Sequence, residues 1–161
     1  MNEQIETGLV AFLATQLANG TIIRKGTEIR EKPVGERLII AAVRDVPREV
    51  GSLYNGMLTL LVQTPIVLNA DGNPSSGLSP ADHSAMVEAV EAAMNPRLDP
   101  EAEDQVAEAA RVAAIKTALD TAVRDAAGFS CTSTYCEGPQ SAHNDKHWIT
   151  TLDVLLGLQR L

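Results

Sequence analysis

Residues 53 to 64 read LYNGMLTLLVQT. Leu58, Leu60 and Val62 point one way and Met57, Thr59 and Leu61 the other, the period-two pattern of a β-strand. Upstream, Arg37 to Val43 (RLIIAAV) is an unbroken apolar run, short enough to be a strand covered on both faces. Pro47 and Gly51 punctuate the connection between them. Further upstream, Thr21-Ile22-Ile23 opens a β-branched stretch interrupted at Gly26. Three consecutive strands are expected, paired antiparallel because the connections look too short for crossover helices. At the other end, Trp148 to Leu158 (WITTLDVLLGL) places Trp148, Leu152, Val154, Leu156 and Leu158 on one buried face. Phe129 to Tyr135 is a further strand, and residues 137 to 146, around Gly138-Pro139, are expected to be irregular.

Helices frame these strands. Ile5, Leu9, Phe12, Leu13 and Leu17 recur at helical spacing within residues 3 to 18, and Asn19-Gly20 is a stop signal. Residues 65 to 79 (PIVLNADGNPSSGLS) carry the turn signals of a loop. Ser79-Pro80-Ala81-Asp82 opens a helix over residues 80 to 94, with His83, Val87, Val90 and Met94 on one face and Asn95-Pro96 at its close. A longer helix is expected over residues 100 to 127, where ten residues are Ala, the best helix former. Val112, Ile115, Leu119, Ala122 and Ala126 make its narrow apolar stripe. The first half lacks one, so that half is expected to project or to meet another subunit. The order α-β-β-β-α-α-β-β, with strands clustered, predicts a single α+β domain with helices on one face of a mainly antiparallel sheet.

Composition bounds the function. The chain has 161 residues, enough to bury a core without disulfides or a structural metal. Thirteen basic and 21 acidic residues leave a net charge of −8, which argues against sequence-specific nucleic-acid binding and against anionic membranes. No apolar run approaches the ~18 residues of a membrane span, and Met1 to Glu6 lacks the basic start of a signal peptide. Two cysteines form no disulfide framework, so a reducing cytoplasm is the expected site of synthesis.

Cys131, Cys136, His143 and His147 have the residue types of a zinc site, spaced C-x4-C-x6-H-x3-H. On an extended strand the two cysteines would face opposite ways, ~16 Å apart at ~3.3 Å per residue. One tetrahedral centre would not reach both without a bulge. Two thiols and two loop histidines, with no metal and no cofactor, are the expected state. His83 lies on an apolar helix face with no nucleophile or orienting acid nearby in sequence, which fits a core histidine better than a catalytic one. Phosphate-loop, nucleophile-elbow, dinucleotide and zinc-protease motifs are absent, so no catalytic residue and no enzyme are expected. Two charged segments are interface candidates instead. One is the basic run with Arg24, Lys25, Arg30 and Arg37. The other is the acidic cluster Glu101, Glu103, Asp104 and Glu108. The loop base, Ile66, Val67 and Leu68, is a third.

The arrangement also resembles a family. A helix reading IETGLVAFLATQLA leads to LYNGMLTLLVQTP, then a loop, then PADHSAMVEAVEAAMN, and the chain ends in HWITTLDVLLGLQR. This is similar to the tail terminator and tail completion proteins of long-tailed bacteriophages, small α+β subunits of the neck between head and tail. The Ala-rich helix at about 100 to 127 departs from the compact family pattern and looks like an insertion. The resemblance implies a structural virion protein without catalytic residues, made in the bacterial host cytoplasm. It implies a homo-oligomeric ring, usually of six subunits, that caps the tail tube protein and meets the head-side connector protein. The competing readings from the residues are a small zinc-stabilised binding module and a phage or bacterial hydrolase with no readable motif.

Overall fold

A computed structural model describes residues 1–17, 21–26, 37–66, 70–71, 80–143 and 147–161. The described elements, in chain order, are α1 (Asn2–Gln16), β1 (Ile22–Lys25), β2 (Leu38–Asp45), β3 (Leu53–Pro65), α2 (Pro80–Met94), α3 (Gln105–Ala127), β4 (Phe129–Cys136), β5 (Gln140–His143) and β6 (His147–Arg160). The fold is α+β. The described strands form one mostly antiparallel sheet in the order β1-β2-β3-β6-β4, with β5 also beside β6.

The two longest strands lie at its centre. β3 pairs with β6 from Leu53↔Gln159 to Pro65↔His147 without a break. Their alternation divides the sheet as the sequence predicts. Leu58, Leu60 and Val62 of β3, with Leu152, Val154, Leu156 and Leu158 of β6, are buried on one face. β2 adds Ile39, Ala41 and Val43 to that face, and all three helices pack there. α1 supplies Ile5, Leu9, Phe12 and Leu13, α2 supplies Val87, Val90 and Met94, and α3 supplies Leu119 and Val123.

Three expectations are corrected. β1 and β2 are parallel, with Ile22 opposite Leu38, and not antiparallel. Residues 26 to 37 separate them, and about a dozen residues is the length a parallel return requires. The stretch expected to be irregular after residue 136 contains β5, so the described order is α-β-β-β-α-α-β-β-β, one strand more than expected. Only Glu137–Pro139 interrupts the edge: β4 finishes at Cys136↔Val154, and β5 resumes at Gln140↔Thr151. Proline donates no hydrogen bond and is tolerated where an edge strand bulges. Third, α3 starts at Gln105 and not near residue 100. Asp104 accepts from the N–H groups of Val106 and Ala107, and Asp99 accepts from the Glu101 N–H. Short acidic side chains capture backbone donors this way and so sit before a helix instead of inside it. The expected stops and caps at Asn19-Gly20 and Ser79, and most of the 65 to 79 loop, lie outside the described residues.

Two contacts that the periodicity does not advertise join the layers. The buried Glu6 carboxylate on α1 accepts from the Val43 N–H at 2.9 Å, beside the irregularity in the β2–β3 register between Val43 and Asp45. Gly8, also on α1, lies where α3 crosses closest. A Cβ there would stand 2.6 Å from the Ala122 carbonyl oxygen.

Gly8→Ala is a direct check of that crossing. Helix propensity alone would make the substitution stabilising by about 1 kcal/mol. The clash is with backbone, which does not swing aside, so overpacking should win and leave a net loss of about 1–2 kcal/mol in urea unfolding. A gain in stability would contradict the close α1–α3 approach.

Candidate functional site

The charged segments singled out from sequence are used unequally. Arg24 is exposed on β1, the last described strand at one side of the sheet, and Arg37 is exposed just before β2. Lys25 turns inward: its side chain is 15% exposed and its Nζ lies 3.4 Å from Glu3 Oε1 of α1. Arg30 falls outside the described residues. The acidic cluster also splits. Asp104 is the α3 cap, and Glu108 binds the Arg111 guanidinium and accepts from the Asp99 N–H at 2.9 Å. Those bonds hold the Glu108 carboxyl low, at about 2, first through Arg111. Glu101 and Glu103 remain exposed, and their carboxylates make no bond among the described residues. Ile66 is half-buried at the end of β3, while Val67 and Leu68 are outside the described residues.

A surface not singled out from sequence comes from the second parity of the sheet. Met57 pairs with Leu155, and Leu155 pairs in turn with Tyr135. These three make one row across β3, β6 and β4, on the face opposite the helices, and they are 44%, 41% and 56% exposed. Leu53, 46% exposed, lies on the same face four residues before Met57. Beside the row, Thr59 donates to Asp153 at 2.7 Å and Arg44 lies 3.5 Å from the same carboxylate. The signal is in the sequence, because the alternation of β3 sets Met57 on the face opposite Leu58. What sequence does not say is which face the helices take.

His83 is 6% exposed in the core. Its Nδ1 is hydrogen-bonded to Thr64 Oγ1 at 2.8 Å and its Nε2 to Thr150 Oγ1 at 2.7 Å, and Ser141 Oγ lies 2.9 Å from that same Thr150 oxygen. Both ring nitrogens are thus committed to threonine hydroxyls on β3 and β6. No carboxylate orients the ring through these bonds, so the arrangement ties α2 to the sheet and does not prepare a proton acceptor for a nucleophile.

The cysteines correct another expectation. The β4 register shifts between Cys131 and Ser133, and Thr132 Oγ1 donates to the Gly157 carbonyl there. That bulge reverses parity, so Cys131, opposite Leu158, and Cys136, opposite Val154, face the helices together and not opposite ways. Their partners are still four residues apart on β6, or ~13 Å, beyond the roughly 7 Å of a disulfide. Both are free thiols. Burial first, then Asp120 near Cys131 and Glu91 near Cys136, pushes each up to about 11. His143 instead packs edge-on against Trp148, with ring centroids 5.2 Å apart. Among the described residues no group of three or more His, Cys, Asp or Glu is placed to hold a metal ion. No described helix is long and apolar enough to cross a membrane. No protein-family model matches the chain, and no curated protein does.

Burial lowers the His83 pKa below 6.5. Above pH 6.5 the ring is neutral in folded and unfolded chains alike. As pH falls below 6.5 the unfolded chain binds the proton first, so stability should decline until the folded pKa is passed, then level off. Urea midpoints between pH 7.5 and 4.5 should fall less steeply in His83→Gln than in the wild type. At pH 7.5 the same variant should lose about 1–3 kcal/mol, because Thr64 and Thr150 lose a buried partner. Equal slopes would show that His83 is not the group being titrated.

Proposed function

We propose that this chain is a structural subunit of a phage virion, forming a ring that caps the tail tube and joins the tail to the head connector. The observation that carries an assembly role is the outer row Met57–Leu155–Tyr135 with Leu53. Four large apolar side chains exposed on one sheet face, three of them in register across the strands, are a surface that gains by leaving water. The neck position within that role rests on the order of elements and on the similarity of the four quoted segments to tail terminator and tail completion proteins. The partners follow from the same reading: other copies of the chain, usually six to a ring, the tail tube protein on one side and the head-side connector protein on the other. The residue most open to a catalytic role, His83, is held by two threonines, which favours a scaffold over a hydrolase.

Light scattering and negative-stain imaging of the purified chain should find closed rings above a threshold concentration. Met57→Lys and Leu155→Lys sit on exposed positions, so each should change folding stability by no more than about 0.5 kcal/mol. Each should nevertheless block the joining of heads to tails when it replaces the wild-type gene in the phage. Phage lacking the gene that still build tails of normal length, joined to heads, would refute the role.

A further inference from the structure

A cleft of about 180 Å³ opens between the end of α2, the middle of α3 and the β4 bulge. Asn95 and Pro96 form one wall, Lys116 and Leu119 another, and the bulge strand, including Thr134, a third. None of its described lining residues is acidic, in a chain of net charge −8. The Lys116 ammonium, the Asn95 amide and the Thr134 hydroxyl make no side-chain hydrogen bond or ion pair among the described residues. Asp120, one turn further along α3, is already engaged by Arg124, by Ser130 Oγ and by the Cys131 N–H. Three side chains with unused donors therefore line one concave site, and one of them is a cation. A carboxylate is the group that satisfies such a set, accepting from the ammonium, the amide and the hydroxyl at once.

The chain itself carries two carboxylates in the complementary state. Glu101 and Glu103 are exposed and unbonded in the turn before α3. They cannot reach their own cleft, because Asp104 and Lys116 are twelve residues apart, about 18 Å along the helix axis. They can reach the cleft of another copy. The two surfaces are different patches of one molecule, so the contact is heterologous, the kind from which a ring is built when the rotation closes. The basic β1 segment is a weaker receiver, since Lys25 is already bound to Glu3.

We propose that the cleft beside Lys116 receives the Glu101 and Glu103 carboxylates of the next copy. The inference rests on the ring reading above and names one contact within it. All three positions are exposed, so charge reversal should leave the thermal midpoint unchanged. Light scattering over a dilution series is the readout. Lys116→Glu alone, and Glu101→Lys with Glu103→Lys, should each raise the concentration for half-assembly about tenfold or more, since like charges are then opposed. The chain carrying all three changes should assemble like the wild type. An equimolar mixture of the two defective chains should also assemble, in alternation. Wild-type rings with midpoints unmoved in both variants would overturn this contact while leaving the ring standing. Defects that neither the triple variant nor the mixture repairs would also overturn it. A wild-type chain that stays monomeric at every concentration would overturn both readings.

Discussion

The continuous β3–β6 ladder is the constraint on which the rest of the structure depends. Side chains alternate along a strand with a period of two, so a slip of one residue would exchange the faces of both strands. Leu58, Leu60 and Val62 would leave the helices and Met57 and Thr59 would meet them. The ladder is locked from the helix side. Thr64 lies opposite Trp148, and Thr150 lies opposite Val62, so the two threonines are diagonal neighbours on the buried face. The His83 imidazole bridges them with one nitrogen each. A slip would part the hydroxyls and leave a buried ring with unmet polar atoms, a penalty that apolar packing alone would not impose.

α3 is a helix of two characters. Its second half is fixed by Leu119 and Val123 in the core, by Gly8 of α1 against Ala122, and by Asp120 reaching the start of β4. Its left-handed Gly128 stop, at φ 72°, turns the chain directly into β4. The first half has Val112 buried but Val106 81% exposed. That half is steadied by its own approach segment, where Glu108 clasps the Asp99 N–H and Arg111 reaches the Arg97 carbonyl. One rigid rod thus carries charge from an anchored end to a presented end.

Much of this was legible in the sequence, and the failures share a cause. Strong alternation in β3 and β6, and the 3.6 period of His83, Val87, Val90 and Met94, marked elements, faces and core. What was missed depends on single residues whose effect is geometric. The Thr132 bulge sits in a polar run, Thr132-Ser133-Thr134, where no apolar alternation marks the change of parity. The pairing direction of β1 turns on connection length and not on composition. Asp104 reads as part of a charged cluster, but its short side chain holds the backbone N–H groups that start α3, as Asp99 holds one just before it. For the candidate surfaces, sequence could name Glu101 and Glu103 as charged and Met57 as opposite the core. It could not show that Asp104, Glu108 and Lys25 satisfy partners of their own, or that Leu155 and Tyr135 line up with Met57.

The three residues that interrupt the sheet's far side, Glu137 to Pro139, have one more effect. Without them β4 and β5 would be a single straight strand lying along β6, with a long row of amide and carbonyl groups turned outward at the end of the described strand order. Such a row is a template on which any extended chain can crystallise. Pro139 removes a donor from the middle of it, Glu137 sets a charge there, and the extra residue puts the two halves out of phase. A foreign strand could register with one half or the other, never with both. A chain adding at this edge would therefore gain only half of the ladder it needs, which works against fibrous growth.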